Sequence, residues 1–217
     1  MSEVMESHGF REEALRIGGE QVHTGRRFDV LNPYNGERVG SVAMASVEDV
    51  RRAMDIAQAY QPRLSRYERS AILNRAAALL RERTEAGSDL ITAESGLSKK
   101  DSVYEIGRVA DVLNFGANEA LRDDGQVFSC DLTPHGKRRK VITTREPLLG
   151  VITAITPFNH PMNQVAHKVV PSVATNNRMV LKPSEKVPLS ALLFADILYE
   201  AGLPPEMLSV LTGDPRE

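Results

Sequence analysis

Thr153–Val170 reads TAITPFNHPMNQVAHKVV. An apolar, β-leaning run ends at Ile155 and gives way to Thr156-Pro157-Phe158-Asn159-His160-Pro161. Met162, Val165, Ala166, Val169 and Val173 then recur at helical spacing. A strand therefore hands over to a helix between two prolines. Pro161 suits a first helical turn, where a missing N–H costs nothing. The spacing predicts a strand over 149–155 and a helix from Pro161 to about Thr175, kinked at Pro171. A strand MVLK follows at 179–182. The next helix runs from about Leu189 to Ala201 and stops at Gly202, with Pro204 beyond and the strand LSVLTG after it. The order β-α-β-α-β is half of a doubly wound, Rossmann-like parallel sheet, an α/β fold. Such sheets bind ligands outside the carboxyl ends of their strands. The two ends on offer are AITPFNHP and LKPSE.

Upstream, residues 1–45 read as irregular segments and short strands, with a strand pair across Asn35-Gly36. Helices follow. Ser46 is an N-cap, and Val50, Ala53, Met54 and Ala57 form one stripe. Ser65 with Glu68 makes a capping box before Ile72, Ala76, Leu79 and Leu80. Gly87 reads as an interruption, with another helix through about Leu97. A further helix from about Lys100 to Asn118 lines Ile106, Ala110, Leu113 and Ala117 along one face. Between Val127 and Glu146, VFSCDL and RKVITTREP flank a Pro134-His135-Gly136 turn. That is a long hairpin with few core residues, whose unpaired edges want a partner strand. It is expected to be an oligomerisation element.

The chain has 217 residues, 41% of them hydrophobic, and a formal net charge of -2, enough to bury a core. The near-neutral balance offers no case for nucleic acid or an anionic membrane as partner. Lys137-Arg138-Arg139-Lys140 reads as a solvated turn. No apolar run reaches the ~20 residues of a membrane span. The opening MSEVMESHGFREE is acidic and polar, unlike a signal peptide. The single cysteine, Cys130, excludes an internal disulfide and fits a reducing compartment. A cytoplasmic protein is the expectation.

Asn159 sits just before a helix N-terminus, where free N–H groups and the dipole favour negative charge. Its amide adds a donor of the kind an oxyanion needs. The plainer alternative is an N-cap. His160 suits a general acid or base, a substrate contact or a satisfied surface histidine; His167, on the helix, reads as structural. At the second strand end, Glu185 can take the hydroxyls of an adenosine ribose and Lys182 can donate to them. A 2′-phosphate would meet the glutamate charge, so NAD is expected over NADP. The alternative is a solvent-exposed Lys–Glu pair of little worth. No G-x-G-x-x-G occurs, and no metal site is expected.

Together REPLLGVITAITPFNHPMNQVAHKVVPSVATNN, VLKPSEKVPLSALLFADIL and EAGLPPEMLSVLTG resemble the N-terminal half of the aldehyde dehydrogenase superfamily. The likeness runs from about residue 20 onward. It implies a helical part over 1–126 contributing to the cofactor domain, a β oligomerisation ribbon over 127–146, and the first half of the NAD-binding unit over 147–217. A homodimer or homotetramer is implied. By position, Asn159 looks like the oxyanion-stabilising Asn of the thiohemiacetal step. Ile155, Thr156, Pro157 and Phe158 look like the stretch beside the nicotinamide ribose and pyrophosphate. Lys182, Ser184 and Glu185 look like the adenosine-ribose segment. The family's glycine motif, general-base Glu and nucleophilic Cys belong to a catalytic half absent from this chain. Cys130 lies in the ribbon and does not match the nucleophile. A sheet ended after LSVLTG is expected to expose an apolar edge, as in a fragment or a chain paired with its other half.

The resemblance also bears on substrate. Arg108 lies opposite Ile106, Ala110 and Leu113, where an ion pair with Asp111 or Glu105 is the plain expectation. In relatives acting on anionic aldehydes, an Arg on this helix reaches the substrate tunnel, and a guanidinium suits a carboxylate, phosphate or phosphonate. With His160 after the motif Asn, the pattern resembles the phosphonoacetaldehyde dehydrogenase branch. Non-phosphorylating glyceraldehyde-3-phosphate, lactaldehyde and succinate-semialdehyde dehydrogenases are alternatives. So is a non-catalytic, truncated NAD-binding module.

Overall fold

The computed structural model describes residues 11–122, 125–214 and 216. The opening stretch up to Phe10 lies outside them. The chain begins with short strands: β1 (Arg11–Glu13), β2 (Leu15–Ile17), β3 (Glu20–Val22), β4 (Arg27–Leu31) and β5 (Arg38–Ala43). Strands β4 and β5 pair antiparallel across the Asn35-Gly36 turn, as expected, and β1 joins β5 in parallel to complete a small sheet.

Helices α1 (Val47–Ala59), α2 (Arg66–Glu82), α3 (Thr84–Ser95) and α4 (Lys99–Leu121) follow. Ser46 caps α1 through Asp49 N–H and Ser65 caps α2 through Glu68 N–H, each in a reciprocal capping box. Ser98 caps α4 through Asp101 N–H. Gly87 does not interrupt a helix: it lies buried within α3. A Cβ there would stand 3.0 Å from Ile106 Cδ1, so the glycine lets α3 approach α4. Gly116 does the same between α4 and the helix Pro161–Ala174, where a Cβ would meet Val170 Cγ1 at 2.3 Å. The break before α3 falls instead at Arg83.

The hairpin is shorter than the sequence suggests. Strands β6 (Gln126–Ser129) and β7 (Lys140–Thr143) pair antiparallel, and every residue in them is exposed. No core draws the flanking residues into the ladder. Beyond it come β8 (Ile152–Ile155), α5 (Pro161–Ala174), β9 (Met179–Lys182), α6 (Leu189–Glu200), a 3-10 turn (Pro205–Met207) and β10 (Leu208–Val210). Helix α5 continues through Pro171. Strands β8, β9 and β10 are parallel neighbours, which is the expected half of a doubly wound sheet.

The expected bare edge beyond β10 is not bare. Strand β2 pairs antiparallel with β10 and β3 with β2, so the sheet has five strands ordered β3-β2-β10-β9-β8. A remote N-terminal hairpin covers that edge, a pairing that no local pattern signals. The sheet's edge strands are β3 on one side and β8 on the other, where Ile155 is 74% exposed. Arg178, buried at the start of β9, donates to the carbonyls of Ala57, Leu148 and Leu149, tying α1 and the entry to β8 to the sheet. The main core lies where α2, α4, α5 and α6 meet the sheet, around Leu73, Leu113, Met162, Leu181, Leu192 and Phe194.

Candidate active site

The parallel register places Ile155 opposite Lys182. The two carboxyl ends read from the sequence are therefore adjacent, and Thr156 N–H donates to Lys182 O at 3.2 Å. Along the first end, Ile155, Pro157, Phe158 and Asn159 are exposed, whereas Thr156 is 4% exposed. Thr156 Oγ1 is buried with no hydrogen-bond partner. At the second end, Lys182 Nζ lies 3.8 Å from Glu185 Oε2, and Ser184 Oγ is buried and accepts from Lys186 N–H at 3.3 Å. Lys186 was not singled out by sequence. Its Nζ sits 4.5 Å from the centroid of the Phe158 ring, joining the two strand ends.

Asn159 is not the N-cap. That position belongs to His160, whose side chain makes no capping bond, and Pro161 opens the helix. The first free N–H groups of α5 are nevertheless occupied. Met162 N–H and Asn163 N–H both donate to Glu105 Oε1, each at 2.9 Å. Helix α6 is treated alike: Leu189 N–H donates to Glu94 Oε2 at 2.7 Å and Ser190 N–H to Glu94 Oε1 at 2.9 Å. Internal carboxylates thus fill both helix N-termini, so neither offers these N–H groups to an external anion. Sequence reasoning took Glu105 only as a partner for Arg108 and missed Glu94 altogether. Their only signal is an acidic residue on the apolar face of a front helix, with Glu105 beside Ile106 and Glu94 three residues after Ile91.

Burial, the largest influence, pushes the Glu94 carboxyl up to about 7, with the Glu105 charge adding to it and the N–H groups of Leu189 and Ser190 opposing it. Burial likewise raises Glu105, opposed by the N–H groups of Asn163 and Met162 and by His160. His160 Nδ1 lies 3.5 Å from Glu105 Oε2. Arg108 follows Glu105 by nearly one turn on α4 and is partly exposed. The expected ion pair with Glu105 or Asp111 does not form: Glu105 turns into α5, and the Arg108 guanidinium lies 6.0 Å from the Tyr104 ring centroid. His167 is exposed on α5. Cys130 lies in the ribbon, away from both strand ends.

Among the described residues no cluster of His, Cys, Asp and Glu could hold a metal ion, and no helix is long and apolar enough to cross a membrane. A dinucleotide suits the two adjacent strand ends. The unpartnered Thr156 hydroxyl, the exposed apolar faces of Ile155 and Phe158, and the Lys182–Glu185 pair offer it polar, apolar and hydroxyl-binding groups in turn.

Residues 21–217 match the model of the aldehyde dehydrogenase family, and the chain belongs to that family. It is 38% identical over 208 residues to a 3-sulfolactaldehyde dehydrogenase of Priestia aryabhattai, which covers 95% of this chain and 43% of that relative. The NADP complex of the NADP-dependent glyceraldehyde-3-phosphate dehydrogenase from Bacillus halodurans C-125 superposes with a TM-score of 0.90 at 34% identity. It covers 95% of this chain and 44% of that one. An NAD-dependent aldehyde dehydrogenase from Sinorhizobium meliloti gives a TM-score of 0.88 at 30% identity, covering 96% and 42%. The chain thus spans less than half the length of each of these relatives.

Proposed function

We propose that this chain supplies the cofactor crevice and oxyanion donor of an aldehyde dehydrogenase that oxidises an anionic aldehyde, such as phosphonoacetaldehyde, to its carboxylate. The observation that carries this reading is the state of Asn159. It lies outside α5, exposed, while Glu105 already satisfies the helix that Asn159 would otherwise cap. Its amide has no structural duty and is available to an oxyanion.

In this reading a nicotinamide cofactor, when bound, would supply the hydride acceptor for the oxidation. Ile155, Thr156, Pro157 and Phe158 line its ribose and pyrophosphate. Lys182, Ser184 and Glu185 hold the adenosine ribose, and the Glu185 charge favours NAD over NADP. Asn159 donates an N–H to the oxygen that becomes negative when a cysteine outside this chain attacks the aldehyde. Arg108 and His160 meet the anionic end of the substrate. Cytoplasmic location, assembly through the ribbon into a homodimer or homotetramer, and the division of the chain at 126 and 146 belong to the same proposal. The 3-sulfolactaldehyde relative, whose named substrate is also anionic, supports the anionic class.

The test is kinetic, in the full-length protein. Asn159→Ala is expected to lower kcat about 10²–10³-fold with little change in cofactor affinity. Arg108→Ala is expected to raise KM for an anionic aldehyde and to leave a neutral one unaffected. Equal effects of Arg108→Ala on both aldehydes would overturn the anionic assignment.

A further inference from the structure

Glu105 uses its two oxygens for different things. Oε1 takes both free N–H groups at the start of α5. Oε2 is buried and has no hydrogen-bond partner, and the nearest ionisable group is His160 Nδ1, 3.5 Å away. Glu105 itself is 1% exposed. His160 is bound into the same turn by its backbone, since its carbonyl accepts from Gln164 N–H at 2.9 Å. Its imidazole takes no part in capping. One carboxylate therefore touches the backbone just after Asn159 and the ring just beside it.

A carboxylate only accepts, so a ring nitrogen facing it carries its hydrogen on that nitrogen. A buried oxygen without a partner is costly, and a small rotation of the imidazole closes the gap. Burial pushes this carboxyl toward its neutral form, while the two backbone N–H groups, His160 and the α5 dipole favour its charged form.

We propose that Glu105 is the positioning residue of the substrate edge: Oε1 pins the first turn of α5 while Oε2 holds the Nδ1–H of His160, leaving Nε2 as the nitrogen that meets the substrate. The inference rests on His160 being a substrate contact, as proposed above. It adds the group that aims the ring and couples that aim to the backbone carrying Asn159.

Glu105→Gln separates this role from capping. The glutamine carbonyl still accepts from the α5 N–H groups, but its amide offers His160 a donor instead of an acceptor. The first measurement needs no turnover. In full-length protein labelled with ¹⁵N-histidine, the His160 signals are assigned by their loss in His160→Asn. Nδ1 is expected to be protonated in the unmodified protein, with the proton moved to Nε2 in Glu105→Gln and the melting temperature held within about 2 °C. A bare Nδ1 in the unmodified protein overturns the proposal. So does a Glu105→Gln variant whose His160 signals do not move.

The second measurement is KM against kcat. Glu105→Gln is expected to raise KM for an anionic aldehyde about tenfold, the size of one lost charge-assisted hydrogen bond, and to move kcat less. The loss should vanish in a His160→Asn background; the same loss in that background shows a merely structural glutamate. If the unmodified protein oxidises no aldehyde, the functional reading fails, while the ¹⁵N result still decides the Glu105–His160 contact.

Discussion

Helices α1, α2 and α4 satisfy their first free N–H groups with Ser46, Ser65 and Ser98, each one residue upstream. Helices α5 and α6 take theirs from Glu105 and Glu94, 57 and 95 residues earlier in the chain. The front helices start in contact with water, where a serine hydroxyl suffices. Helices α5 and α6 start inside the molecule, where an unpaired N–H is expensive and a carboxylate matches the dipole. The difference shows how the molecule is joined. Glu94 of α3 and Glu105 of α4 stitch the front helices to the first turns of α6 and α5.

The largest effect should come from breaking one remote cap. Glu94→Ala leaves Leu189 N–H and Ser190 N–H without their buried partner, and is expected to cost about 3 kcal/mol or more by denaturant unfolding of the full-length protein. A cost below about 1 kcal/mol would mean that water replaces the carboxylate and that the remote caps are no stronger than the local ones.

Titration sharpens the comparison next. Glu94 in the fold sits at about 7, against 4.5 for the ordinary carboxyl. A folded value above the unfolded one means that the native state holds a proton the unfolded state has released. That contribution is complete below pH 4.5 and is lost as pH rises toward about 7. The loss is on the order of 3–4 kcal/mol at most, since a tenfold difference in proton affinity between the two states is worth about 1.4 kcal/mol. Melting temperatures measured from pH 4.5 to 7.5 should fall more steeply for the unmodified protein than for Glu94→Gln. Parallel curves would show that Glu94 does not titrate in this window.

Local caps carry the smaller effects. Ser65→Ala is expected to cost about 1 kcal/mol. Ser46→Gly should cost only a few tenths, since glycine is tolerated at an N-cap. If Ser65→Ala costs as much as Glu94→Ala, the distinction between the two sets of helices fails.

Much of the fold was legible. The strands at 152–155, 179–182 and 208–210, and the helices between them, follow from an apolar period that switches from 2 to 3.6, with prolines and Gly202 at the joints. The Ser46 and Ser65 caps were legible because donor and acceptor lie within one turn. Asn159 and Glu185 were legible as candidates because a strand end in a parallel sheet is a known place for a ligand. Gly87 was misread because a helix interior glycine and a helix stop look the same in one dimension. Its meaning comes from Ile106 on the neighbouring helix.

The sequence by itself determined most local events: where the capped and proline-led helices start, which face is apolar, and which polar side chains stand at the strand ends. Those depend on interactions within a few residues. Only the tertiary structure decided the rest. It laid β2 and β3 along β10, turned Glu105 into α5 rather than toward Arg108, and placed Lys186 over Phe158. These contacts join residues far apart in the chain. A buried carboxylate or a sheet edge is satisfied by whichever donor the packing brings within about 3 Å, and spacing along the sequence does not encode that partner.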